Sequence, residues 1–237
     1  MIIEVLFNEV CGLNGDAQNP VYLQESLPDA QIIYTSILDE PYFATARPDM
    51  ILLGSMTEYT QRRVLGKLRP LKERLHQLVD DGVVILATGN AGEVFCRHIS
   101  YVTEKIEMDG LGVFDLDVKT NLFGRYNGKV LSRFQDMEIV GFRTQFSFIY
   151  GDNSDCYFAE AIRGIGINPE SKLEGLRKNN LLCTLTVGPI LPLNPLFCEH
   201  IMALAGAPVP AAFRDAAMAA YEERRQEFHN ENIRFDL

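Results

Sequence analysis

The sequence predicts an α/β fold: a three-layer sandwich with a mostly parallel central sheet and helices on both faces. Three observations carry this. Residues 82–87, Gly-Val-Val-Ile-Leu-Ala, form a continuous apolar run bounded by glycine, as a central parallel strand requires because both of its faces are covered. Apolar runs of strand length alternate with helical patterns through the first half of the chain. The stretch from Arg62 to Asp80 carries Leu65, Leu68, Leu71, Leu75, Leu78 and Val79, a spacing that buries one helix face, with a kink expected near Pro70.

Taken in order, Ile2 to Phe7 reads as a buried strand, and an acid inside its short apolar run argues against a signal peptide. Gly12 to Pro20 is a polar loop, and Pro20 to Ser26 begins a helix. Ala30 to Ser36 and Asp49 to Ser55 are strands, the second running into a glycine turn. After the strand at 82–87 the small residues Thr88-Gly89-Asn90-Ala91-Gly92 make a tight turn, and Glu93 to Ile99 reads as a helix. Strand, sharp turn and helix in that order is the geometry of a nucleophile elbow. Gly110 to Thr120, Gly128 to Arg133 and Glu138 to Tyr150 read as strands and hairpins. Asn168 to Asn180 reads as loop and Leu181 to Thr186 as strand, while Pro195 to Ala205 and Ala211 to Phe228 are helical. The last dozen residues carry the weakest signal for order.

Composition narrows the function classes. The chain has 237 residues, 47% hydrophobic and 23% charged, with a formal net charge of −10. Nucleic acid would be repelled, since the basic clusters around Arg62-Arg63, Lys67 to Arg74 and Arg224-Arg225 are short and mixed with acids. No apolar run approaches the ~20 residues of a membrane span, so no membrane insertion is expected and a cytoplasmic location is. The five cysteines are odd in number and widely spaced, with no CxxC pair. Neither a disulfide framework nor a metal site is expected, and nothing in the sequence calls for a cofactor.

Several short segments then line up in order: Asn14-Gly15-Asp16-Ala17-Gln18-Asn19, Asp49 to Ser55, Asp81 to Ala87, Gly110-Leu111-Gly112-Val113-Phe114-Asp115, Arg125-Tyr126-Asn127-Gly128, Val140-Gly141-Phe142, Glu174-Gly175-Leu176-Arg177 and Gly188-Pro189-Ile190-Leu191-Pro192-Leu193-Asn194-Pro195. With them the chain resembles the class I glutamine amidotransferases of the cobyric acid synthase type, and most of all the GatD-like subunit of lipid II isoglutaminyl synthase. The stretch from Gly188 to Pro195, similar to the family's Gly-Pro-Leu-Leu-Pro-Lys-Asn-Pro, is the most specific match. The resemblance implies a flavodoxin-like, class I glutamine-amidotransferase fold over residues 1–237 as a single domain. It also implies a Mur-ligase-like partner subunit and a role in amidating cell-wall precursors.

The departures fall where the chemistry would be. Against the family's Cys-Gly-Gly-Tyr-Gln the chain has Thr88-Gly89-Asn90-Ala91-Gly92, and against the histidine before Gly-Pro it has Val187. The family's early glycine triplet is Gly54-Ser55-Met56, and its Glu-Asn-His is Arg143-Thr144-Gln145. Glutamine hydrolysis needs a thiolate and a histidine that keeps it ionised. A threonine hydroxyl is far less acidic, and valine can neither take nor orient a proton. The Thr88 and Val187 positions therefore predict a degenerate catalytic pair, in which only binding and backbone donors would remain. A binding pocket for a small amide or carboxylate is expected from Gly54, Ser55, Gly89, Asn90, Arg125 and Gln145, with Thr88 and Arg143 also in its lining. Asp16 and Asn19 would contact a ligand or partner, or cap a turn. Cys96, eight residues past Thr88 on the expected helix, would sit ~12 Å along its axis, out of reach of the same pocket. The alternative is an active hydrolase or amidotransferase using Thr88, or Cys11 at the end of the first strand, as a non-standard nucleophile.

Overall fold

The computed structural model describes residues 1–235. The chain runs β1 (Ile2–Leu6), α1 (Gln18–Ser26), β2 (Gln31–Thr35), β3 (Met50–Leu53), α2 (Glu58–Leu68), α3 (Lys72–Asp80), β4 (Val84–Thr88) and β5 (Cys96–Tyr101). It continues through β6 (Ile106–Asp109), β7 (Phe114–Thr120), β8 (Tyr126–Phe134), β9 (Met137–Gln145), β10 (Ser147–Tyr150), β11 (Ala159–Arg163), β12 (Leu173–Glu174), β13 (Leu176–Lys178) and β14 (Leu181–Thr184). Helices α4 (Ile190–Leu193), α5 (Pro195–Leu204) and α6 (Arg214–His229) close the described chain.

The central sheet has six strands in the order β13-β14-β4-β3-β1-β2, parallel except where β13 meets β14. All five residues of β4 are buried, which is what the continuous apolar run at 82–87 requires of a strand covered on both faces. One face of the sheet packs on Val64, Leu65 and Leu68 of α2 and Leu75, Leu78 and Val79 of α3. The other packs on Tyr22 and Leu23 of α1 and Phe197, Cys198, Ile201 and Met202 of α5. Two further four-stranded sheets, β10-β7-β5-β6 and β12-β11-β8-β9, flank this core.

Pro70 divides the long periodic stretch as expected: α2 and α3 are joined by a 3-10 turn at Arg69–Leu71. The expected helix from Glu93 to Ile99 does not form. Instead a 3-10 helix spans Gly89–Phe95 and the chain then enters β5, where Ile99 and Tyr101 are buried and Arg97 is exposed. β-Branched and aromatic residues in alternation favour the pleated surface, and pairing with β7 decides the matter. His98 therefore lies on a strand, not a helix. The segment from Asn168 to Asn180 is not wholly loop, since it contains β12 and β13. The last dozen residues are ordered through Phe235, which is buried and meets Phe228 edge-on at 5.4 Å; Asp236 and Leu237 lie outside the described residues.

Candidate functional site

The turn after β4 builds the site. Thr88 ends the strand in extended conformation (φ −113°, ψ 147°). Gly89 follows at φ +57°, a region that costs glycine nothing and other residues about a kilocalorie or more. A Cβ on Gly89 would lie 2.9 Å from Val187 Cγ1 and 2.8 Å from Ser55 Cβ. The position that faces Val187 is therefore Gly89. Thr88, expected there from the sequence, points elsewhere: its hydroxyl donates to Asp16 Oδ2 at 2.7 Å. A one-residue difference in register moves a side chain to the opposite face of a strand end, and here it removes the side chain altogether. Glycine at position 89 was the sign available in the sequence, since only its backbone adopts such a turn apex without strain.

Val187 is held by an isolated antiparallel bridge to Phe142, its N–H donating to Phe142 O at 2.8 Å. Gly188 (φ +91°) lies against the Phe142 ring so closely that a Cβ would sit 2.1 Å from Cε1. Val187 is 1% exposed, and its methyl groups, which can neither take nor give a proton, face Gly89.

The turn after β3 supplies the opposite wall. Ser55 N–H donates to Asp16 Oδ2 at 2.8 Å and Met56 N–H to Asn90 Oδ1 at 3.0 Å, while Asn90 Nδ2 donates back to Met56 O at 2.8 Å. Backbone N–H groups at such a turn could stabilise an oxyanion only if they were free; these two are each committed to a side chain. Asp16 is 3% exposed. Burial raises its pKa, and its hydrogen bonds with Ser55, Thr88 and Asn19 pull the other way. Asn19 Oδ1 in turn accepts from Leu191 N at 3.0 Å. Asp16 and Asn19 thus act as buried struts joining the first loop, both turns and α4.

Ser55, Gly89, Asn90, Arg125, Gln145 and Val187 converge on one pocket of about 140 Å³. Gly54 does not reach it; Cys11 O approaches so near that a Cβ on Gly54 would be 2.0 Å away. Gly54, Thr88, Asp16 and Cys11 instead line a separate cavity of about 10 Å³, room for about one water. Neither Thr88 nor Cys11 has space for a substrate there. Burial and the nearby Glu9 push the Cys11 thiol up to about 12, which leaves it a poor nucleophile. Cys96 opens β5 rather than riding a helix; it is wholly buried, and burial raises its thiol pKa well above the usual range.

Arg143 was expected to line the pocket and is instead wholly buried beside it. It donates to Gln145 Oε1 at 2.9 Å and to the carbonyls of Ile165 and Gly166 at 2.8 and 2.5 Å. Gln145 Nε2 reaches Ser147 O at 2.5 Å, so its amide is fixed at both ends. Arg125 is exposed, stacks over the Phe146 ring at 5.4 Å and donates to Thr144 Oγ1 at 2.9 Å. Sequence reasoning missed Glu58 and Ser147 in the wall and Glu93 behind it. Burial and the neighbouring Glu104 raise the Glu58 pKa, against the pull of Arg125. An acid between Gly92 and the apolar Val94-Phe95 was the available sign that Glu93 is buried.

No family model matches the chain. Over 157 residues it is 29% identical to the GatD subunit of the glutamine-hydrolysing lipid II isoglutaminyl synthase of Staphylococcus aureus (strain N315), a match covering 65% of this chain and 62% of that protein. The chain thus spans less than two thirds of that relative's length. Among solved structures, a glutamine amidotransferase aligns with 87% of this chain and 100% of its own at a TM-score of 0.55 and 14% identity. PurLQS from Thermotoga maritima aligns with 94% of this chain and 97% of its own at 0.53 and 11%.

Proposed function

We propose that this chain, glutamine-amidotransferase-like in fold and in its similarity to GatD, binds a small amide or carboxylate without hydrolysing glutamine. It acts as a binding or regulatory subunit, with residues 1–237 as a single domain. A Mur-ligase-like partner and a place in cell-wall precursor amidation fit the resemblance to the lipid II enzyme. One observation carries the catalytic part of this reading: at the apex of the turn, facing Val187, stands a glycine with no side chain. A nucleophile and its base are both missing at adjoining positions, and the two backbone donors of the 54–56 turn are occupied. What remains is a walled pocket with one cation, one acid and several amide and hydroxyl groups, suited to holding a polar ligand.

The test is ammonia release from glutamine by the purified chain, beside Gly89→Cys/Val187→His and the same pair with Ser55→Gly, which clears the Cβ contact. The wild type is expected to be silent. Activity gained by either variant would support an intact pocket geometry. Enzyme-like ammonia release by the wild type, lost on mutating Thr88 or Cys11, would overturn the reading.

A further inference from the structure

Glu93 lies behind the pocket, 1% exposed. Neutral donors hold its carboxylate: Ser147 Oγ donates to Oε1, and Gln61 Nε2 donates to Oε2 at 2.8 Å. Gln61 is itself fixed, since Nε2 also reaches Asn90 O at 2.7 Å and Oε1 accepts from Tyr101 OH at 2.9 Å. The charged and titratable neighbours are few. Glu58 on α2 opposes ionisation and Arg143 on β9 favours it, but Arg143 points donors at Gln145 and two carbonyls. From β5, Tyr101 and Cys96 are both held neutral by burial. Desolvation outweighs the hydrogen bonds, and the carboxyl is pushed up to about 7.

Ser147 belongs to both systems, bonding Glu93 and lining the pocket. A serine hydroxyl has a single hydrogen and two lone pairs. While Glu93 is ionised, that hydrogen is committed to it. Once Glu93 is protonated, its own O–H can donate to Ser147 Oγ, and the serine hydrogen is released.

We propose that the pocket binds a carboxylate together with one proton: the proton, drawn from solvent, goes to Glu93 Oε1, and Ser147 turns its O–H from Glu93 to the ligand. This rests on the reading of the pocket as a ligand site. Arg125 supplies the positive charge at the wall, and neutralising Glu93 removes a negative charge from behind it. No covalent bond changes except the proton's. Between the range in which the ligand and Glu58 take up protons and about pH 7, a carboxylate should therefore bind with constant affinity, and above about pH 7 it should lose about tenfold per pH unit, whereas an uncharged amide of the same shape should show no such loss.

The experiment is a ¹³C-carboxyl NMR titration of the full chain with and without succinate or its diamide, succinamide. The Glu93 signal is assigned by its absence in Glu93→Gln, an isosteric neutral mimic that should fold readily. Glu93 is expected to titrate near neutrality and to move upward with succinate but not succinamide. The loss of succinate affinity above about pH 7 should vanish in Glu93→Gln and weaken in Ser147→Ala. Titration of Glu93 below about pH 5, or succinate affinity independent of pH in the wild type, would overturn the proton coupling alone. If neither probe binds while Glu93 still titrates near neutrality, the ligand-site reading falls and the coupling with it.

Discussion

At Glu93 the folded protein keeps a proton that the unfolded chain has already released. The ordinary value of 4.5 applies unfolded and about 7 folded. A raised acid favours the folded state fully below the lower value, and that contribution is lost as pH rises through the upper one. The gap corresponds to roughly 3 kcal/mol. The urea midpoint of the wild type should fall between about pH 5 and 8 more steeply than that of Glu93→Gln. Other buried acids with raised values, Glu4, Asp16 and Glu174, contribute to both proteins and cancel in the difference. Parallel curves would show that Glu93 is not desolvated as its surroundings require. Gly89 makes a second prediction at this scale. Gly89→Ala should cost about 2–3 kcal/mol, combining a left-handed backbone with contacts to Ser55 and Val187. Adding Val187→Ala should return part of that loss, a coupling that a double-mutant cycle in chemical denaturation would measure. Strictly additive effects would show that the two side chains do not meet.

At the scale of elements, two turns and a loop are welded by Asp16. Removing it strands the buried Ser55 N–H and Thr88 O–H, at about 1–3 kcal/mol for each unsatisfied group. Asp16→Ala should therefore destabilise by several kilocalories, with hydrogen exchange rising first at Ser55. Exchange unchanged there would mean that another acceptor replaces the carboxylate. The 3-10 helix after β4 depends on small residues in the same way, since a Cβ on Gly92 would lie 2.8 Å from Cys183 Cβ. That close approach sets how far the turn apex stands from β14 and hence where Val187 arrives.

Across the whole molecule, the end of the described chain is clamped to the sheet of β8 and β9. Arg163 donates to the carbonyls of Phe228, Asn230 and Ile233 at 2.7, 2.7 and 2.8 Å, and its guanidinium lies 3.9 Å from the Phe235 ring centroid. Lys129 N–H adds a bond to Phe235 O at 2.8 Å. Arg163→Ala should expose the segment after α6 to limited proteolysis at concentrations that spare the wild type. An unchanged digestion pattern would mean that the aromatic contact between Phe228 and Phe235 suffices. This clamp was invisible in the sequence, where the last dozen residues look polar and uncommitted. The order comes from partners distant along the chain, Arg163 on β11 and Lys129 on β8, together with the Phe228–Phe235 contact.

The apolar run at 82–87, the periodic leucines broken by Pro70 and the alternation of strands with helices determined the three-layer fold, because burial on both faces of a strand and on one face of a helix leaves a pattern in the residues themselves. The order of short segments ending in Gly188 to Pro195 led to the expectation of a site at the turn after β4, where Ser55, Gly89, Asn90, Arg125 and Gln145 do line one pocket. Tertiary structure decided which residue of that turn faces Val187, because a single step along the backbone reverses the direction of a side chain and only the φ of Gly89 fixes the step. It also decided that residues 96–101 are strand, through pairing with β7, and that Arg143 and Glu93 stand behind the pocket, their states set by burial and by partners far away in the chain.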